Sequence, residues 1–341
     1  MEISFFDDVV KKPLPPYTLS ALCPPNYEHR YFENWKAHRF NPDATTFDLC
    51  NAWWLAEAAL LAYADTAFVQ KVFDEADLHE TGAKIKPFHK QSIWCYVAYT
   101  EQTILVAFRG TELQSFWDSV QDLMTDFDFF LVSDGAGAKV HRGFRDAVES
   151  IWDELAAYLA ELSAQRPRRL WLTGHSLGAA LATIAADKLA RCSPLVVHGL
   201  YTFGSPRVGD LRFLHRFLLH PFAQNTFRVV LGADVVTRVP PVRWFRHIGK
   251  LCFINERDEL QTALPRYPSQ KMHLRQQWRR LLRALTPLSL KKISEFSELQ
   301  IVPDFLADHA PICYAIRVWN CYVQSLHQTR RTGAISTAYS V

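Results

Sequence analysis

No apolar run in this chain approaches the roughly 20 residues that cross a bilayer as a helix. The longest runs, such as Ala58-Ala59-Leu60-Leu61-Ala62-Tyr63-Ala64, fall far short, so no membrane span is expected. The first residues, MEISFFDDVVKKPLPPY, lack a basic start followed by an apolar core. A secretory signal peptide is therefore not expected, and the chain reads as cytoplasmic or as exported without such a signal. None of the seven cysteines stands in a C-x-x-C pair. That spacing argues against a zinc site and for reduced thiols. The net charge is only +3, which gives no overall field for nucleic acid. No internal repeat is present. What remains is 341 residues, 49% of them hydrophobic and 13% aromatic, enough to bury a substantial core.

Patterning divides the chain unevenly. Residues 1–45 are rich in Pro, Asn and aromatics without clear periodicity, and read as an irregular, packed extension. Asn51 to Tyr63 reads as a buried helix. Ser92–Thr100 and Thr103–Phe108 read as a hairpin around Glu101-Gln102. Gly143 to Leu162 has the spacing of an amphipathic helix. Further strands are expected at Arg169–Thr173, Leu195–Phe203, Thr226–Leu231 and Leu251–Ile254. Strands alternating with helices over this length predict an α/β fold with a mostly parallel sheet.

One stretch differs in charge. From Pro265 to Lys292 there are eight basic residues and no acid, which puts +8 there and −5 on the remainder. Leu274, Trp278, Leu281, Leu282 and Leu285 recur through it at helical spacing, the pattern of a basic amphipathic helix. Two readings stand. The helix packs its apolar side on the domain, or it meets anionic lipid through Arg275, Arg279, Arg280 and Arg283. No nucleic-acid-binding motif accompanies it.

The pentapeptide Gly174-His175-Ser176-Leu177-Gly178 carries the chemistry. A strand-like run precedes it and the small-residue run Ala179 to Ala186 follows. G-x-S-x-G between strand and helix is a nucleophile elbow, in which the flanking glycines clear space for a sharp turn. Such a serine needs an acid and a histidine after it in the chain, together with an oxyanion hole. Phe108-Arg109-Gly110-Thr111 ends a strand where a backbone N–H, with the Thr111 hydroxyl, can face an oxyanion. The N–H of Leu177 is the expected second donor. Asp234 and Asp210 both follow apolar strands and both fit the acid. His309, His247 and His273 all follow Asp234, whereas His141 precedes the serine and reads as structural.

Taken together, these segments resemble the class 3, fungal-type lipase family of α/β-hydrolases. The resemblance runs from about Asn51 to about Tyr314. It rests on the helix Ala56 to Tyr63, then FRGT, HRGF, GHSLG, TFGSPRVGD, DVVTRVPP and a late Asp308-His309. It implies one α/β-hydrolase domain over 1–341, with a helical basic insertion at 255–300 before the catalytic histidine. It implies Ser176 as nucleophile, Asp234 as acid and His309 as base, with Thr111 and Leu177 lining the oxyanion hole. Asp210 and His247 become structural neighbours. Residues 112–135 become a lid whose apolar side carries Trp117, Leu123, Met124, Phe127, Phe129 and Phe130. The implied activity is hydrolysis of lipid esters, first of all triacylglycerols, without metal or cofactor. A phospholipase A1 or lysophospholipase would use the same site. From another class, a lipid-binding protein with a silent site would have no need to keep all three residues.

Overall fold

A computed structural model of the chain describes residues 9–76, 83–110, 130–263 and 302–332. Its centre is an eight-stranded sheet in the order β1-β2-β3-β6-β7-β8-β9-β10. The strands are β1 (Lys84–Lys90), β2 (Ile93–Tyr99), β3 (Thr103–Phe108), β6 (Arg169–His175), β7 (Val197–Phe203), β8 (Thr226–Leu231), β9 (Lys250–Ile254) and β10 (Leu260–Gln261). From β3 to β9 all neighbours are parallel, while β1-β2, β2-β3 and β9-β10 are antiparallel. The hairpin expected around Glu101-Gln102 is β2-β3. A separate small hairpin pairs β4 (Leu131–Ser133) with β5 (Lys139–His141). Leu131–Ser133, near the end of the expected lid at 112–135, are therefore strand.

Period-two alternation explains the layering. Leu105 and Ala107 of β3, Trp171 of β6 and Tyr201 and Phe203 of β7 point into one core. Ile104, Val106, Leu170, Leu172 and Leu200 point into the other. Helices α2 (Leu49–Leu61) and α8 (Pro311–Thr332) cover the first face, with the N-terminal segment packed beside them. In α2 every residue but Cys50 is buried, as a helix apolar on all sides requires. Its one buried acid, Glu57, accepts from Trp53 Nε1 at 3.0 Å and lies 2.9 Å from His29 Nε2. Helices α4 (Arg142–Gln165) and α5 (Leu177–Cys192) cover the second face.

The expected extension at 1–45 contains α1 (Leu19–Leu22) and otherwise turns. Its Phe32 and Phe40 are buried in the first core. Short or surface helices complete the fold: α3 (Thr66–Glu75), α6 (Leu211–Phe217) and α7 (Asp304–Ala307). No helix among the described residues is long and apolar enough to cross a membrane. The basic stretch with Arg275, Arg279, Arg280 and Arg283 lies outside the described residues. So do Thr111, Trp117, Leu123, Met124, Phe127 and Phe129.

Candidate active site

Strand β6 runs directly into Ser176, and α5 starts at Leu177. Ser176 has φ +56° and ψ −126°, a backbone conformation that costs a residue with a Cβ about 1–3 kcal/mol. The surroundings impose it. Ser176 N–H donates to Phe203 O at 2.9 Å, and the Ser176 carbonyl accepts from Ala179 N at 3.1 Å. The two elbow glycines are fixed by close approach. A Cβ on Gly174 would lie 2.4 Å from the Gly178 carbonyl carbon, and one on Gly178 would lie 2.2 Å from Phe108 O. Leu177 is the first residue of α5, so its N–H is one of the donors that a helix leaves without an intrahelical acceptor. The positive end of the helix dipole lies there too.

Three residues distant in sequence meet at this turn. Ser176 Oγ is 2.8 Å from His309 Nε2, and His309 Nδ1 is 3.0 Å from Asp234 Oδ2. Ser176 and Asp234 each keep 1% of their surface and His309 none. Asp234 sits just past β8, where its other oxygen accepts the Val236 N–H at 2.9 Å. His309 lies in the turn between α7 and α8. The adjacent Asp308 accepts from Ala233 N at 2.7 Å, which ties the histidine turn to the Asp234 turn. Burial raises the Asp308 carboxyl above the usual carboxylate value.

Two tyrosines and a histidine back this group, and the sequence patterns assigned none of them such a place. Tyr314, one turn into α8, donates its hydroxyl to Asp234 Oδ2 at 2.6 Å and accepts the Leu231 N–H at 3.2 Å. Burial pushes its phenol well above the ordinary tyrosine value, so it stays a donor. His175, on the elbow itself, contacts the backbone of His309: its Nε2 lies 2.8 Å from the His309 carbonyl. A carbonyl only accepts, so Nε2 carries the proton. Tyr63 at the end of α2 reaches His175 Nδ1 at 3.0 Å. Burial, then the neighbouring His309, lower the His175 imidazole well below its ordinary value and keep it neutral. The legible signal was position alone: Tyr63 closes the apolar run from Ala56, and Tyr314 closes the segment that starts at Asp308.

The rival candidates stand elsewhere. Asp210 caps α6, its Oδ1 accepting from Phe213 N at 2.8 Å. His141 precedes α4 and packs on Phe144, ring centroids 4.3 Å apart. Burial, then Arg228 and Arg207, lower the His247 imidazole well below its ordinary value. His273 lies outside the described residues. Phe130 is described and is 52% exposed. No group of three or more His, Cys, Asp or Glu among the described residues is arranged to hold a metal ion.

The parallel sheet flanked by helices, with a serine on the β6–α5 turn, defines an α/β-hydrolase. The chain belongs to the class 3 lipase family within that fold. The family model described as Lipase (class 3) matches residues 105–244. A lipase from Rhizomucor miehei is 34% identical over 164 residues, 46% of this chain and 43% of that protein. A chloroplastic phospholipase A(1) of Arabidopsis thaliana is 32% identical over 155 residues, 41% of this chain and 34% of that protein. The solved structure of the Rhizomucor miehei triacylglyceride lipase aligns with a TM-score of 0.50 at 30% identity. That alignment covers 59% of this chain and 78% of the solved one. The chain spans less than half the length of these two curated relatives.

Proposed function

We propose that the chain is a serine carboxylester hydrolase acting on lipid esters, with triacylglycerols as the first substrate class. The observation that carries the reading is the continuous hydrogen-bonded line from Ser176 Oγ through the His309 ring to Asp234, at 2.8 and 3.0 Å. In this reading His309 Nε2 takes the Ser176 proton as Oγ attacks the ester carbonyl carbon. The carbonyl π pair moves onto oxygen, and the Leu177 N–H faces the resulting oxyanion. Thr111 is the proposed second donor, from the family resemblance. Loss of one such donor typically costs about 3 kcal/mol of transition-state stabilisation. Asp234 keeps the His309 ring oriented and stabilises the imidazolium. As the carbonyl reforms, the ester C–O bond breaks and the leaving alkoxide takes the proton from Nε2. Water then attacks the acyl-serine with His309 again as base. Carboxylate is released and Ser176 regains its proton.

The burial of all three groups supports the same reading. A dry site strengthens each electrostatic contact relative to water. An acyl chain must open that site to reach Ser176, so turnover is expected to be higher on an emulsion than on the same ester dispersed as monomers.

A second reading, phospholipase A1 activity at the same serine, is favoured by the similarity to the Arabidopsis thaliana enzyme. A panel of tri-, di- and monoacylglycerols and phospholipids decides between them, with Ser176→Ala as the control. Highest turnover on acylglycerols supports the first reading, and release of sn-1 fatty acid from phospholipid as the fastest reaction supports the second. No turnover of any ester by the unaltered chain would contradict both.

A further inference from the structure

We infer that the loop after the Asp234 turn, together with the β4–β5 hairpin, forms a docking surface for an anionic lipid bilayer on the Ser176 side of the sheet. Four consecutive residues of the loop, Pro241-Val242-Arg243-Trp244, are exposed. Val242 keeps 62% of its surface and Trp244 51%, and Phe130 at the hairpin keeps 52%. Large apolar side chains exposed together on a rim mark an interaction surface rather than ordinary scatter.

Topology places the three on the same edge as Ser176. Helix α4 is a 24-residue crossover that ends just before β6 begins, so it runs against the strands and its first residue lies at the edge where β6 ends. Arg142, that first residue, donates its N–H to Phe130 O at 3.0 Å. Gly209 lies just before the Asp210 cap of α6, at the same edge. Isolated bridges join Val140 to Gly209 and Gly209 to Arg246, with Arg246 N–H to Gly209 O at 2.7 Å. The hairpin and the loop are thus stitched side by side.

Charge selects the partner. From Val235 to Asn255 the chain has Arg238, Arg243, Arg246 and Lys250 and no acid. The Arg243 guanidinium lies 5.5 Å from the Trp244 ring centroid, and that of Arg142 lies 5.0 Å from the Phe130 ring centroid. Both arginines are exposed. Among the described residues, two carboxylates of these segments are engaged: Asp134 pairs with Arg216, and Asp210 caps α6. Aromatic rings flanked by arginines suit the interfacial layer of a bilayer, where the rings enter the acyl boundary and the cations meet anionic headgroups. The inference rests on the lipid-ester reading for its purpose, since docking here would present the Ser176 side to the membrane. Its physical basis is separate.

The test uses the full chain carrying Ser176→Ala, so that vesicles are not consumed. Binding is measured by co-sedimentation with phosphatidylcholine vesicles with and without phosphatidylserine. The 265–292 stretch is left intact in every variant. The parent is expected to prefer the vesicles with phosphatidylserine. Arg142→Gln with Arg243→Gln is expected to weaken that binding by about 25-fold, roughly fivefold per arginine. Val242→Ser with Trp244→Ser is expected to weaken it about tenfold or more through lost apolar burial. Leu218→Ser with Leu219→Ser is the control for exposed apolar residues away from this rim, since both follow α6. It is expected to bind as the parent. Thermal melting confirms that each variant is folded. Rim variants that bind as tightly as the parent, or a parent that binds neither vesicle, would overturn the inference. Failure of the ester-hydrolase reading appears in a different measurement, as no ester turnover by the chain with Ser176 intact.

Discussion

The two faces of the central sheet are packed by different means. On the face covered by α2 and α8, Trp54, Trp171 and Trp319 are buried and each indole N–H reaches a backbone carbonyl of the N-terminal segment. Trp54 donates to His38 O at 2.8 Å, Trp171 to Pro42 O at 3.1 Å and Trp319 to Val10 O at 3.0 Å. The opposite face, under α4 and α5, is filled by Val148, Leu155, Leu172, Leu181 and Ile184 together with Phe108, Phe144, Phe213 and Phe217. Those side chains have no polar atom to direct. One face is held by dispersion and burial, the other by burial plus bonds that fix where a segment of irregular backbone must lie. The difference reaches the candidate site. Ser176 opens a helix on the α4–α5 face, whereas His309 is held from the α2–α8 face through Tyr314, His175 and Tyr63.

The largest effect expected from breaking this contrast is at Trp171. Trp171→Ala removes a fully buried indole and leaves Pro42 O without that donor, and unfolding by urea should show a loss of about 3–5 kcal/mol. Tyr314→Phe keeps the ring but deletes a donor to Asp234 and the acceptor of Leu231 N–H. A hydrogen bond to a charged group is worth about 1.5–3 kcal/mol, so stability should fall by that order. On the proposed mechanism kcat should fall about tenfold or more, which corresponds to about 1.4 kcal/mol or more at the barrier. An unchanged kcat would show that the α2–α8 face positions His309 without help from Tyr314.

His175 supplies the pH test. Folded, its imidazole is held neutral well below the ordinary value, chiefly by burial. Unfolded, it takes a proton near pH 6.5. The unfolded chain therefore binds the extra proton, and the stability owed to neutral His175 is complete above about pH 6.5 and lost as pH falls. The loss approaches about 1.4 kcal/mol per pH unit. His175→Gln should flatten that acid limb in denaturation curves, and an unaltered slope would exclude His175 as its source. The smallest effect belongs to the α4–α5 face. Ile184→Val, at a site with no polar partner to lose, should cost about 0.5–1.5 kcal/mol. A larger loss there would mean that the two faces are equally exacting.

These two faces also differ in how far the sequence reveals them. The hairpin β2-β3, the strand–elbow–helix unit and the long α4 follow from periodicity and turn residues. The reason is that alternation and 3.6-residue spacing record which side of each element is buried. The order Ser176, Asp234, His309 was legible through motifs, although position alone favoured Asp234 over its rival Asp210 only weakly, and the family resemblance separated them. Other features left no such trace. Strand β1 carries Lys84, Lys86, Pro87 and Lys90 and buries only Phe88, because it is an edge strand with little core to face. The extension at 1–45 is anchored through its own carbonyls, which no side-chain pattern reports. Tyr63 meets His175 across 112 positions, and Tyr314 meets Asp234 across 80, contacts that exist only once the sheet brings α2, α8 and the strand ends together.

The central claim is that Ser176 is activated by His309. It is tested most directly by treating the folded chain with a fluorophosphonate ester, which phosphonylates an activated serine with loss of fluoride, and locating the adduct by peptide mass spectrometry. The account predicts one adduct, on the peptide with Gly174-His175-Ser176-Leu177-Gly178, absent in Ser176→Ala and strongly slowed in His309→Ala. An unlabelled chain, or label that persists elsewhere after Ser176→Ala, would contradict it.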